Sequence, residues 1–148
     1  EMPTVKNTFE AVRDRLQFFF GQMAYAPVLP LSAKQGDGIE KLLSTVVSVH
    51  AQLTKRVETS KLNKAVREWV EANPPPMSTK GRFKFRYATQ TGVNPVRFAF
   101  FVTKPESVGA TYRSFLKNKI RSELGYTLVP VELDLRASRK RFEDLDKG

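Results

Sequence analysis

The 148-residue sequence contains no cysteine and a single histidine, His50. Disulfides and thiolate metal sites are excluded, and a reducing compartment is the natural setting. One histidine leaves no basis for a histidine metal cluster or for Ser-His-Asp catalysis. No apolar run approaches the roughly 20 residues of a membrane-spanning helix. The first ten residues, EMPTVKNTFE, lack the basic-then-apolar order of a secretion signal. A G-x-x-x-x-G-K-[ST] phosphate loop is missing as well, and with it the usual cradle for a nucleoside triphosphate. Catalytic and metal-binding residues are therefore expected to be none, and no membrane partner is expected.

Acidic residues are outnumbered by basic ones only in one part of the chain. The formal net charge is +10. Residues 1–53 carry Lys6, Arg13, Arg15, Lys34 and Lys41 against Glu1, Glu10, Asp14, Asp37 and Glu40, and are neutral. The whole excess sits in residues 54–148. A basic segment joined to a neutral one points to a polyanionic partner for the basic part. The apolar fraction, 41%, suffices for a packed core.

Apolar spacing divides the chain further. Phe9, Val12, Leu16, Phe19 and Phe20 recur at three- and four-residue steps and predict a helix capped by Thr4 or Asn7 and ending near Gly21. Ala26 to Leu31 reads as a short buried strand, with Pro30 arguing for an edge position. A second helix is expected from about Gly38 to Leu53, its stripe running through Ile39, Leu42, Leu43, Val46, Val47, His50 and Leu53. His50 then reads as a packing or helix-terminus residue.

Charge rises at Thr54 to Thr59, the expected boundary between segments 1–53 and 54–148. Thr59 or Ser60 can cap a helix bearing Leu62, Ala65, Val66, Trp69 and Val70, which Pro74-Pro75-Pro76 must end. Arg82 to Gln90 alternates, with Phe83, Phe85 and Tyr87 on one face and Arg82, Lys84 and Arg86 on the other, as in a half-exposed strand. Val96 to Thr103 is a second strand after an Asn94-Pro95 turn. Thr111 to Leu124 predicts a helix with Tyr112, Phe115, Leu116, Ile120 and Leu124 inward and Gly125 as its stop. Leu128 to Leu135 is a last strand, and Arg136 to Asp146 a charged tail. The order over 54–148 is α-β-β-α-β. The expected class is α+β: helices covering one face of a three-stranded sheet.

The motifs SAKQGDGIEKLL, SKLN at Ser60 to Asn63, NPPP at Asn73 to Pro76, FRYATQTGVNPVRFAFFV and TYRSFLKNKIRSELGY together resemble the EngA/Der family of bacterial ribosome-assembly GTPases. Members have two tandem GTPase domains followed by a KH-like domain. The resemblance covers the chain apart from its charged tail. It implies that residues 1–53 are the last helix-strand-helix of the second, α/β P-loop GTPase domain, and that residues 54–148 are the KH-like domain with its tail. It also implies that Ser32, Ala33 and Lys34 match the fifth guanine-recognition motif. The Asp-x-x-Gly and Asn-Lys-x-Asp motifs are missing along with the phosphate loop, so the chain by itself is not expected to bind or hydrolyse GTP. GTP and Mg are cofactors implied for a full-length protein.

KH domains usually clamp single strands with a Gly-x-x-Gly loop, and this sequence has none. What remains is basic surface: Arg82, Lys84 and Arg86 on a strand, Arg113, Lys117 and Arg121 along a helix, and Arg139, Lys140 and Arg141 in the tail. Such residues grip phosphates without reading sequence. The expected partners are the large ribosomal subunit with its RNA, and GTPase domains of the same chain, in a cytoplasmic setting. The alternative reading is a regulatory domain that packs against the GTPase domains in a nucleotide-dependent way. Residues 1–53, a lone helix-strand-helix with an unpaired strand edge, are expected to form either a strand-mediated dimer or domain swap, or to be poorly ordered.

Overall fold

In the computed structural model the described residues are 5–77, 79 and 81–138. Two helices lead: α1, Val5–Phe19, and α2, Ile39–Thr54. The rest alternates as α3 (Thr59–Ala72), β1 (Phe85–Gly92), β2 (Val96–Val102), α4 (Ala110–Glu123) and β3 (Val131–Ala137). β2 is the central strand. It pairs antiparallel with β1 and parallel with β3, so α4 is the crossover that a parallel pair demands.

The core lies between the two helices α3 and α4 and one face of this sheet. Leu62, Val66 and Trp69 of α3 meet Tyr112, Leu116 and Ile120 of α4 over Val96, Phe98, Phe100 and Val102 of β2. Val131 and Leu133 of β3 and Ala88 of β1 complete it. Those of α3, α4 and β3 are residues that spacing marks as inward, and the α-β-β-α-β order is as expected. Gly125 takes a positive φ of 76°, which lets the Tyr126 amide reach back to the Arg121 carbonyl at 2.9 Å and closes α4.

Four local expectations are corrected. Ala26 to Leu31 forms no strand. Only an isolated bridge, Ser32 to Asp37, stands there, because no described strand in this part of the chain offers it a ladder. The residue capping α3 is Glu58 rather than Thr59 or Ser60, and the Ser60 hydroxyl turns to the Glu58 carboxylate. The last strand starts at Val131 rather than Leu128 and reaches Ala137, so Arg136 belongs to it.

The fourth correction concerns β1. Phe85 pairs with Val102 and Tyr87 with Phe101, leaving Arg86 as an extra, bulged residue. One inserted residue reverses the alternation. Phe83 and Phe85 face the core, but Tyr87 moves to the opposite face and Ala88 takes its place inside.

The leading segment packs differently. Only the end of α2 joins the core, through Val49 and Leu53. Val12, Leu16, Phe19 and Phe20 of the first stripe are exposed, as are Leu43, Val46 and Val47 of α2. His50 is exposed too, with its backbone carbonyl accepting from the Thr54 hydroxyl. No helix among the described residues is long and apolar enough to cross a membrane.

Candidate nucleic-acid interface

The sheet decides where the charges go. Its helix-covered face holds the core, so the opposite face is left to solvent. Arg82, Lys84 and Arg86 are all exposed on the β1 side. Arg113 is exposed on α4 and Lys117 half-buried. α3 packs on β1 and α4 on β3. The strand cluster and the helix cluster therefore sit toward opposite edges of the sheet rather than forming one patch. Arg139, Lys140 and Arg141 lie outside the described residues.

Arg121 has a different place from the one expected. Its guanidinium donates to the carbonyls of Val129 at 2.7 Å and Thr127 at 2.9 Å. The same group lies 4.6 Å from the ring centre of Tyr25. Burial pushes its pKa down, and Tyr25 partly offsets this. An arginine so engaged stays charged, but it is half-buried and two of its five N–H donors are held by backbone carbonyls. It fastens the leading segment to the loop before β3. Gln52 of α2 reaches the same loop: its amide oxygen accepts from the Leu128 amide at 2.8 Å and its amide nitrogen faces the Thr127 hydroxyl at 3.3 Å.

The connection between α2 and α3 is tied to the sheet by equally specific bonds. The Gln90 side chain accepts from the Val57 amide at 2.8 Å and donates to the Lys55 carbonyl at 2.9 Å. The Tyr126 hydroxyl donates to that same carbonyl at 3.0 Å. Lys55 itself caps the end of α4 by donating to the Leu124 carbonyl at 2.7 Å. Burial raises the pKa of Tyr126 above its ordinary value.

Ser32, Ala33 and Lys34 form a tight loop. The Ser32 amide donates to the Asp37 carbonyl at 3.0 Å, and the Gly36 amide to the Ser32 carbonyl at 2.8 Å. Ala33 and Lys34 are exposed. Gly38 closes the loop with φ of 82°, so close that a Cβ there would lie 2.4 Å from the Pro30 carbonyl oxygen. No metal-binding group of three His, Cys, Asp or Glu occurs among the described residues.

The spacing of apolar residues gave no sign of one contact that shapes the β1 edge. Asn63 of α3 pairs with Ala88 through two bonds, accepting from its amide and donating to its carbonyl, each at 2.8 Å. An asparagine on an amphipathic helix normally reads as a solvent-facing residue. Here it stands in for the strand that would otherwise continue the sheet.

Residues 56–136 match the family described as the KH-domain-like domain of EngA bacterial GTPase enzymes, C-terminal. The chain is 44% identical over 138 residues to a protein named GTPase Der from Desulfitobacterium hafniense, covering 93% of this chain and 30% of that one. It is 42% identical over 123 residues to GTPase Der from Treponema pallidum, covering 82% of this chain and 26% of the relative. A third, GTPase Der from Moorella thermoacetica, is 42% identical over 139 residues, or 93% of this chain and 31% of its own. The chain thus spans less than a third of the length of these relatives. The matched region runs from Arg56, just before α3, to Arg136, one residue short of the end of β3. The chain belongs to the EngA/Der GTPase family, and residues 56–136 are its KH-domain-like C-terminal domain.

Proposed function

We propose that residues 54–148 are an RNA-binding module of a GTPase that acts in assembly of the large ribosomal subunit. Residues 1–53 are, on this reading, the end of its second GTPase domain. The parent protein would use GTP and Mg in the cytoplasm, while this stretch of chain hydrolyses nothing, since it carries only the base-facing loop at Ser32 to Lys34. The observation that carries the reading is the +10 excess confined to residues 54–148, part of it presented as exposed Arg82, Lys84 and Arg86 beside an open sheet face. Phosphate gripping by such residues makes affinity fall steeply with salt. Large-subunit ribosomal RNA is titrated against the chain across a salt series, beside Lys84→Glu/Arg86→Glu. Steep salt dependence with loss in the variant supports the strand surface. Binding indifferent to both salt and charge reversal would sink it.

A second reading rests on the junction built by Arg121, Tyr25 and Gln52. Tyr25 lies shortly before the Ser32 loop, so a change at a guanine site would be felt at the loop before β3. The domain would then regulate, or be regulated by, its GTPase neighbours. Protection of Thr127 to Val129 from exchange that is equal in GTP- and GDP-loaded parent protein would reject it.

A further inference from the structure

The bulge at Arg86 has a chemical consequence on the sheet face that the helices leave open. Without it, Tyr87 would face the core beside Phe85. With it, Tyr87 faces outward and pairs with Phe101 of β2. The two rings stack with centroids 4.2 Å apart and planes 10° from parallel. Every other described aromatic pair is tilted or edge-on. Tyr87 remains 47% exposed.

Register extends this pair into a row. Phe101 pairs with Arg136 of β3, so Tyr87, Phe101 and Arg136 lie side by side across the open face. The next row is Thr89, Ala99 and Asp134, and the far one Gly92, Arg97 and Glu132. Ala99 is buried beneath its neighbours. The acidic residues are held in ion pairs, Arg97 with Glu132 at 2.5 Å and Arg136 with Asp134 at 3.1 Å. Lys84 and Arg86, exposed beside the aromatic row, have no ion-pair partner among the described residues. The face is therefore graded: aromatic rings and exposed cations at the β1 side, neutralised carboxylates at the β3 side.

We propose that the Tyr87–Phe101 pair is a stacking platform for an unpaired base of single-stranded RNA, with Lys84 and Arg86 holding the adjoining phosphates along the β1 edge. Phe101 covers one face of the Tyr87 ring, and the other is left for a base, whose flat surface suits it in any sequence. Charge selects the occupant. An acidic, aromatic-stacking polymer fits the β1 side, whereas the β3 side, its two carboxylates matched by Arg97 and Arg136, offers a backbone no net positive charge. A Gly-x-x-Gly clamp is not needed for this mode, since the ligand lies on the sheet rather than between helices.

The inference rests on the RNA-binding reading above, and the test separates the two. A labelled oligouridine of about 12 nucleotides and an RNA duplex of similar length are titrated against the chain, Tyr87→Ala, Tyr87→Phe and Lys84→Glu/Arg86→Glu. Tyr87→Ala is expected to weaken the single strand by about 5- to 100-fold and to leave the duplex unchanged, while Tyr87→Phe, which keeps the ring, binds as before. Tyr87→Thr serves if alanine disturbs the strand, because threonine favours strands. Ring-proton shifts of Tyr87 and Phe101 on adding oligouridine report contact directly. Unchanged single-strand affinity in both Tyr87→Ala and Tyr87→Thr, with loss in the charge reversal, overturns the platform and leaves RNA binding standing. Indifference to all variants overturns both. Ring shifts caused by duplex RNA as strongly as by oligouridine would also overturn the platform.

Discussion

Replacing Asn63 by alanine tests how the β1 edge is closed. Ala88 is fully buried, and its amide and carbonyl turn away from β2. The Asn63 side chain satisfies both and also donates to the Thr59 carbonyl at 2.7 Å. Removing it deletes these bonds and strands one buried donor and one buried acceptor. Each such group costs about 1–3 kcal/mol. Alanine is the better helix former by at most about 0.7 kcal/mol, so propensity runs the other way but loses. Water entering at the edge recovers part of the loss, and the net expectation is about 2–4 kcal/mol, a large share of a domain's typical 5–15. Trp69 is the only tryptophan and only 3% exposed, so urea unfolding followed by its fluorescence reads this unit. Asn63→Asp keeps the acceptor for the Ala88 amide but sets a carboxylate against two carbonyl oxygens. It should be at least as damaging as alanine at neutral pH and recover as pH falls toward about 4, where protonation restores a donor. An alanine variant within about 0.5 kcal/mol of the parent would refute the reasoning, because the side chain would then be closing nothing.

Arg121→Ala should cost about 1.5–3 kcal/mol, the range for charged hydrogen bonds, and speed hydrogen exchange at Thr127 to Val129. Arg121→Lys should recover little, since one ammonium cannot reproduce the fork between two carbonyls. Gly38→Ala places a Cβ against the Pro30 carbonyl at positive φ. It should cost about 1–2 kcal/mol or more, confined to the Ser32 loop: exchange quickens there while the Trp69 transition stays put. Tyr126→Phe should cost about 1 kcal/mol, because the Lys55 carbonyl keeps its bond from Gln90. Burial raises the pKa of both Tyr112 and Tyr126. Their contribution is therefore complete below the ordinary tyrosine value of about 10 and is lost as pH rises past it. Denaturation midpoints should fall above that pH, and less steeply in Tyr126→Phe.

Much of the α-β-β-α-β unit was legible because its signals are local. Leu62, Val66 and Trp69 mark one side of a helix by spacing alone, and so do Tyr112, Leu116 and Ile120. Val131, Leu133 and Leu135 mark a strand, and Gly125 a helix stop, whatever lies around them. The +10 excess of the second segment needed no fold at all to be seen.

What the sequence left open depends on partners distant along the chain. Ala26 to Leu31 has the composition of a strand, but a strand exists only with a ladder beside it, and no strand among the described residues supplies one. Alternation from Phe83 placed Tyr87 inside until pairing with β2 inserted a bulge at Arg86 and turned the ring outward. Arg121 and Lys117 read alike on a helix flank. Only the loop before β3 and the approach of Tyr25 drew Arg121 into backbone bonds. Residue types and their short-range periods were thus enough to name the elements and the sign of the surface. Which side chains remain free to meet a partner was decided by tertiary pairing, because a hydrogen-bonding or charged group is available only where no neighbour has already claimed it.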